Sequence, residues 1–138
     1  MLRSGLLHPE ILRALAAAGH GSQVLISDGN FAHSTVPSPS VPRVYLNLAP
    51  GRLTVPDVLE VLLRVIPVEA AALTDPDEGP PPSAHAALVA MLPPGIRVDH
   101  LPRFEFNAAV RSDSLALVIA TGDQRTFANV LLTIGVCL

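Results

Sequence analysis

The chain has 138 residues, 49% of them hydrophobic and only 15% charged, with a formal net charge of −3. That balance argues against a disordered chain and for a single domain, residues 1–138, that buries a real core. The nine cationic residues are all arginine, scattered singly, and there are four Phe, one Tyr and no Trp, which argues against a nucleic-acid groove.

The single cysteine, Cys137, excludes a disulfide framework and any cysteine-based zinc site. No stretch approaches the ~18 to 20 consecutive apolar residues of a membrane-spanning helix. The N-terminal MLRSGLLHPEILRAL lacks the apolar core and cleavage site of a secretory signal, so a cytoplasmic protein is expected. The mean hydropathy of +0.45 points to apolar surface that is covered between subunits.

In chain order, Pro9 to Ala18 is predicted helical, with Pro9 at a first helical position, Ile11, Leu12 and Leu15 on one face, and Gly19 as the stop. Gln23 to Ser27 is a short apolar strand, and Phe31 to Pro42 is a proline-rich loop. Val44 to Leu48 reads as a strand. Thr54 to Ile66 is a helix capped by Thr54 and ended by Pro67, with Val58, Leu59, Leu62 and Ile66 as its apolar stripe. Ala70 to Thr74 is a buried strand, and Asp75 to Pro82 is an acidic, proline-rich surface loop. Ser83 to Leu92 is helical, Ile96 to His100 a strand, Arg103 to Arg111 a short helix, Leu115 to Ala120 a buried strand, and Val130 to Val136 the last strand. The alternation predicts an α/β domain whose mixed, largely parallel sheet is covered by helices on both faces.

Polar groups concentrate at element ends. His20 stands between two glycines, after the first helix and before the first strand, and Asp28 follows that strand. An imidazole exchanges protons near neutrality, so His20 is a general acid/base candidate. It could equally be a histidine at the negative end of a helix, and Asp28-Gly29 a plain turn. His33, His85 and His100 show no HxH or HxxxH spacing, so no metal site is expected and solvated histidines are the simpler reading. His33, close after Asp28, remains a candidate for the same pocket. Arg103 opens a helix, and Phe127-Ala128-Asn129 opens the last strand. There is no dinucleotide or Walker loop and no nucleophile elbow.

Five features in order resemble the RbsD/FucU family of sugar mutarotases: Gly-His-Gly after the first helix, Asp-x-Asn-Phe after the first strand, Arg-Phe-x-Phe, Thr-Gly-Asp, and a terminal Asn-apolar strand closing on Gly-Val. The resemblance spans the whole chain. It implies that His20 is the proton donor and that Asp28, Arg103, Phe127, Ala128 and Asn129 bind a monosaccharide. It further implies that no cofactor is needed and that chains form pentamer or decamer rings with pockets at subunit boundaries. An arginine at position 103 matches the fucose type and a histidine would match the ribose type. The expected reaction is therefore L-fucose anomer interconversion; the alternatives are pyranose–furanose interconversion of D-ribose and a non-catalytic sugar-binding or transport-accessory protein. Phe127 and Asn107 stand where the family commonly has tyrosine, and the loop after Asp28 is one residue short.

Overall fold

The computed structural model describes residues 1–138 as α1 (Pro9–Ala17), β1 (Gln23–Ser27), β2 (Arg43–Tyr45), α2 (Val55–Leu63), β3 (Val68–Asp75), α3 (His85–Met91), β4 (Arg97–Pro102), α4 (Arg103–Val110), β5 (Leu115–Ala120) and β6 (Val130–Ile134). One six-stranded sheet has the order β2-β5-β1-β6-β3-β4. β1 is parallel to β5, β5 to β2, and β3 to β4, while β6 runs antiparallel to both β1 and β3. Five strands therefore point the same way, and β6 alone returns between them. The carboxyl ends of the five and the start of β6 share one edge of the sheet, and the end of β6 lies at the other. None of the helices is long and apolar enough to cross a membrane.

The strand period of two divides the apolar side chains between two cores. On one face Val24, Ile26, Leu73, Leu117, Ile119, Val130 and Leu132 pack under α1, α2 and α3. On the other, Leu25, Ala72, Val118 and Leu131 pack under Phe106 and Val110 of α4, with Phe31, Val36 and Val41 of the proline-rich loop beside them. Both faces are thus covered, the second by one helix and a loop.

Local chemistry sets the ends of the elements. Thr54 caps α2 reciprocally with Asp57: the Asp57 N–H donates to Thr54 Oγ1 and the Thr54 N–H to Asp57 Oδ2. α2 stops at Leu63 rather than Ile66. Arg64, Val65 and Ile66 form a tightened turn ahead of Pro67, which has no N–H and disfavours helix in the residue before it. β2 covers three residues instead of the five of Val44–Leu48, because its only neighbour, β5, ends at Ala120. β6 ends at Ile134, where the Gly135 N–H leaves the ladder for the carbonyl of Pro67.

The proline-rich loop has few ladder bonds of its own and is held by Arg43. Its Nε donates to the carbonyl of His33 (2.8 Å), Nη1 to those of Ser38 (3.0 Å) and Val41 (2.9 Å), and Nη2 to that of Pro37 (2.6 Å). One guanidinium thereby ties together four carbonyls of a loop whose prolines at 37, 39 and 42 supply no N–H. Replacing Arg43 by alanine is expected to destabilise the fold by about 2–3 kcal/mol. Amide exchange should accelerate between Phe31 and Val41 and stay slow in β1 and β6, a pattern that hydrogen-exchange mass spectrometry reads directly.

Candidate functional site

Asp28 continues β1 past its last ladder bond and is 2% exposed. Its Oδ1 accepts from the N–H groups of Asn30 (2.8 Å) and Phe31 (2.9 Å), and its Oδ2 from that of Ala128 (3.1 Å). The Asp28 N–H in turn donates to Asn129 Oδ1 (2.8 Å). Burial pushes the carboxyl above the usual aspartate range; the amides of Asn30, Ala128 and Phe31 pull it back, and neighbouring Asp123 adds to the rise. Because the Asp28 N–H can only donate, the side-chain oxygen of Asn129 is committed to it, and the amide nitrogen is left for a ligand.

Around this carboxylate lies a 240 Å³ cleft lined by Asp28, Asn30, Phe31, Ala32, Val36, Thr74, Arg103, Asn107, Thr126, Phe127 and Asn129. It sits where ligands collect in open α/β sheets, outside the carboxyl ends of the strands. Arg103 opens α4 directly after β4, Thr74 is the penultimate residue of β3, and Asn129 precedes β6. Phe127 adopts a left-handed backbone (φ 60°), and its carbonyl accepts from His85 Nε2 at 3.1 Å. A phenylalanine in that region is strained and is held there by its surroundings. The cleft therefore offers one carboxylate, one guanidinium, hydroxyl and amide groups and an aromatic wall, a set suited to a small polyhydroxylated molecule.

Of the residues singled out in the sequence, Asp28, Arg103, Phe127 and Asn129 come together here. Ala128 does not line the cleft; it is fully buried and acts through its N–H on Asp28. His33 does not line it either. Its ring stacks edge-on against Tyr45 (centroids 5.5 Å apart), its Nδ1 is buried without a partner, and burial lowers its pKa, with Asp28 opposing and Arg43 reinforcing that change.

His20 lies at the opposite edge of the sheet. It precedes β1 while Asp28 follows it, and five residues of strand span roughly 17 Å. There His20 helps line a separate 340 Å³ depression with Leu15, Val65, Ile134, Gly135 and Val136. Its side chain is 59% exposed, and Nε2 meets both carboxylate oxygens of Glu69, at 3.1 and 3.0 Å. That pairing places the Nε2 proton toward Glu69 and leaves Nδ1 free to exchange one.

Sequence reasoning missed Glu69 and Thr74. Glu69 is an exposed residue near the start of β3, and Gly135 makes room for it, since a Cβ there would lie 3.2 Å from Glu69 Cβ. Thr74 is 3% exposed, lines the cleft, and its Oγ1 is buried without a partner. Nothing in a single sequence separates such a hydroxyl from an ordinary strand-end threonine.

Comparison with known proteins bears on the same features. A model of the RbsD / FucU transport protein family matches residues 1–137. The chain belongs to the RbsD/FucU family. Relatives include D-ribose pyranase 2 of Streptomyces griseus, 34% identical over 99% of this chain and 98% of that one, and the D-ribose pyranase of Variovorax paradoxus, with the same identity and coverage. Among solved structures, Bacillus subtilis RbsD complexed with D-ribose superposes with a TM-score of 0.84 over the full length of both chains at 24% identity. The fucose mutarotase of Streptococcus pneumoniae in complex with L-fucose gives 0.82, also over both full lengths, at 17% identity. This RbsD/FucU member thus has the family's fold, and the family contains sugar pyranases and mutarotases.

Replacing Thr74 by valine removes the buried, unpartnered hydroxyl at nearly constant volume. Thermal unfolding should show the apo protein stabilised by about 1 kcal/mol or more. Destabilisation would mean that the hydroxyl already has a partner.

Proposed function

We propose that the chain is a cofactor-independent sugar pyranase of the D-ribose type, acting in the cytoplasm on the interconversion of pyranose and furanose rings. The observation that carries this reading is the convergence of Asp28, Arg103, Phe127 and Asn129 on one cleft at the carboxyl edge of the sheet. The ribose preference rests on pyranase relatives at 34% identity over nearly the whole chain. It moves the reading away from L-fucose, the sugar favoured by sequence motifs. One feature still favours L-fucose as a second substrate: Arg103, the residue that resemblance to the fucose type predicts.

A cyclic aldose is a hemiacetal. A proton delivered to the ring oxygen and one removed from the anomeric hydroxyl break the C1–O5 bond and leave the aldehyde. Attack of O4 on C1 then gives the furanose, with both proton movements reversed. The reaction proceeds unaided in water, so a positioned acid contributing about 10²- to 10⁴-fold suffices. In this reading His20 Nδ1 supplies the proton, oriented by Glu69. Asp28 accepts from a sugar hydroxyl through Oδ2, which carries one protein bond fewer than Oδ1. Arg103, the Asn129 amide and Thr74 Oγ1 hold further hydroxyls, and the Phe127 ring covers a C–H face.

Because His20 and the cleft occupy opposite edges of one chain, the acid reaches the sugar from a neighbouring subunit of a ring. Exposed apolar residues at both edges support such an interface: Val65 and Val136 beside His20, and Leu48 (86% exposed) and Phe104 (73% exposed) near the cleft. Saturation-transfer NMR on D-ribose and L-fucose should show accelerated ring exchange with the protein, faster for ribose, and nearly none with His20→Ala or Asp28→Asn. Co-refolding those two inactive variants should restore exchange, since a mixed ring contains some sites with both groups intact. Restoration failing in demonstrably mixed rings would place the acid elsewhere. Binding of ribose without any exchange by the native protein would instead support a sugar-binding accessory.

The ionised form of Asp28 is the stronger acceptor, so affinity is present above its folded pKa and lost as pH falls through it. Burial raises that pKa, so ribose affinity should begin to fall at a pH above the ordinary aspartate range. A calorimetric pH series measures the inflection, and an inflection at or below the ordinary value would contradict this role.

A further inference from the structure

The sheet brings three metal-ligating side chains together outside the cleft. Leu73 of β3 pairs with His100 of β4, and Asp75 lies two residues beyond Leu73. In a parallel pair these three side chains share a face, and Leu73 belongs to the core under α3. The first residue of α3 is His85, so Asp75, His85 and His100 meet at its start, and one ligand atom of each lies within 4.8 Å of the others. Asp75 Oδ1 is 3.4 Å from His85 Nδ1 and 3.0 Å from His100 Nδ1.

The hydrogen bonding of His85 makes this more than proximity. Its side chain is 6% exposed, and Nε2 lies 3.1 Å from the carbonyl oxygen of Phe127. A carbonyl only accepts, so Nε2 carries a proton, and Nδ1 faces the carboxylate oxygen of Asp75. The same arrangement, one ring nitrogen donating to a backbone carbonyl and the other facing inward, is how ligating histidines are usually oriented.

We propose that Asp75, His85 and His100 bind one borderline divalent transition ion, with zinc as its representative. Two imidazoles and one carboxylate suit such an ion rather than magnesium or calcium. With bonds of about 2.0–2.1 Å, neighbouring ligand atoms around tetrahedral zinc stand roughly 3.3 Å apart, close to the two separations from Asp75. His100 and Asp75 are partly exposed, which gives the ion an entry path and water a fourth position. The ion lies across the sheet from the α4 core, and its ligands adjoin the sugar cleft through the Phe127 carbonyl, through Thr74 before Asp75, and through Arg103 after Pro102, the strand partner of Asp75.

The experiment uses chelator-treated full-length chain, titrated with zinc by calorimetry and with cobalt(II) by visible absorption. The native protein should take up a single ion per chain, develop the ligand-field bands of a low-coordinate cobalt site, and unfold at a higher temperature with zinc present. His100→Ala and Asp75→Asn change partly exposed groups and should keep the circular dichroism of the native chain. Each should lower zinc affinity by more than the roughly 10- to 100-fold loss that follows mutation of an outer partner. His20→Ala should leave zinc affinity unchanged, which separates this site from the His20–Glu69 pair. No uptake of either metal, affinity unaltered in His100→Ala or Asp75→Asn, or loss of binding in His20→Ala would each overturn the proposal.

Discussion

Where β1 and β6 stop pairing as backbone, Asp28 and Asn129 continue the connection with side chains. The last ladder pair is Ile26 with Val130. Beyond it the Asp28 N–H reaches the Asn129 side chain, while the Ala128 N–H reaches the Asp28 side chain. This reciprocal pair fixes the approach of residues 126–129 to the end of β1. Burying a carboxylate is costly unless its acceptors are met, and three N–H groups meet them here. The loop after β1 is bound by the same carboxylate through Asn30 and Phe31, so both walls of the cleft take their position from one side chain.

The antiparallel return of β6 ties the cleft to the His20 edge of the chain. Asn129, just before β6, stands in the cleft, and the last residue of the strand stands beside His20, where the Gly21 N–H donates to the Ile134 carbonyl at 2.9 Å. Glu69, at the start of β3, lies against Gly135 just past the end of β6. Shifts in β6 therefore move the His20 end and the cleft together. Yet the length of the strand keeps them apart within one chain.

The central strands β1, β3, β5 and β6 were legible because burial on both faces of a sheet demands near-continuous hydrophobic runs, and they lie where those runs do. Element ends were less so, since they depend on partners: β2 stops where β5 stops, and β6 where Pro67 captures an N–H. Asp28, Arg103, Phe127 and Asn129 were legible as a constellation through family motifs. Spacing alone could not bring them together, for they lie on three separate connections. Arg43 looked like one more scattered charge, because its acceptors are backbone carbonyls that no side-chain pattern marks. His85 and His100 looked like solvated histidines because fifteen residues separate them, and the pairing of β3 with β4 is what closes that distance.

Phe127 shows how an aromatic wall can outlast a change in its chemistry. Its left-handed backbone is held on both sides, by the His85 ring on its own carbonyl and by Asp28 on the next N–H. The ring's position is thus set by the main chain and not by any group at its tip. Loss of the hydroxyl that resemblance to the family leads one to expect here removes a polar contact while leaving the wall in place. Thr74 Oγ1 lines the same cleft, buried and without a protein partner. An unpartnered buried hydroxyl is destabilising in the empty protein. The cleft thus keeps polar groups on β3 and at Asn129, while the surface at 127 is purely apolar.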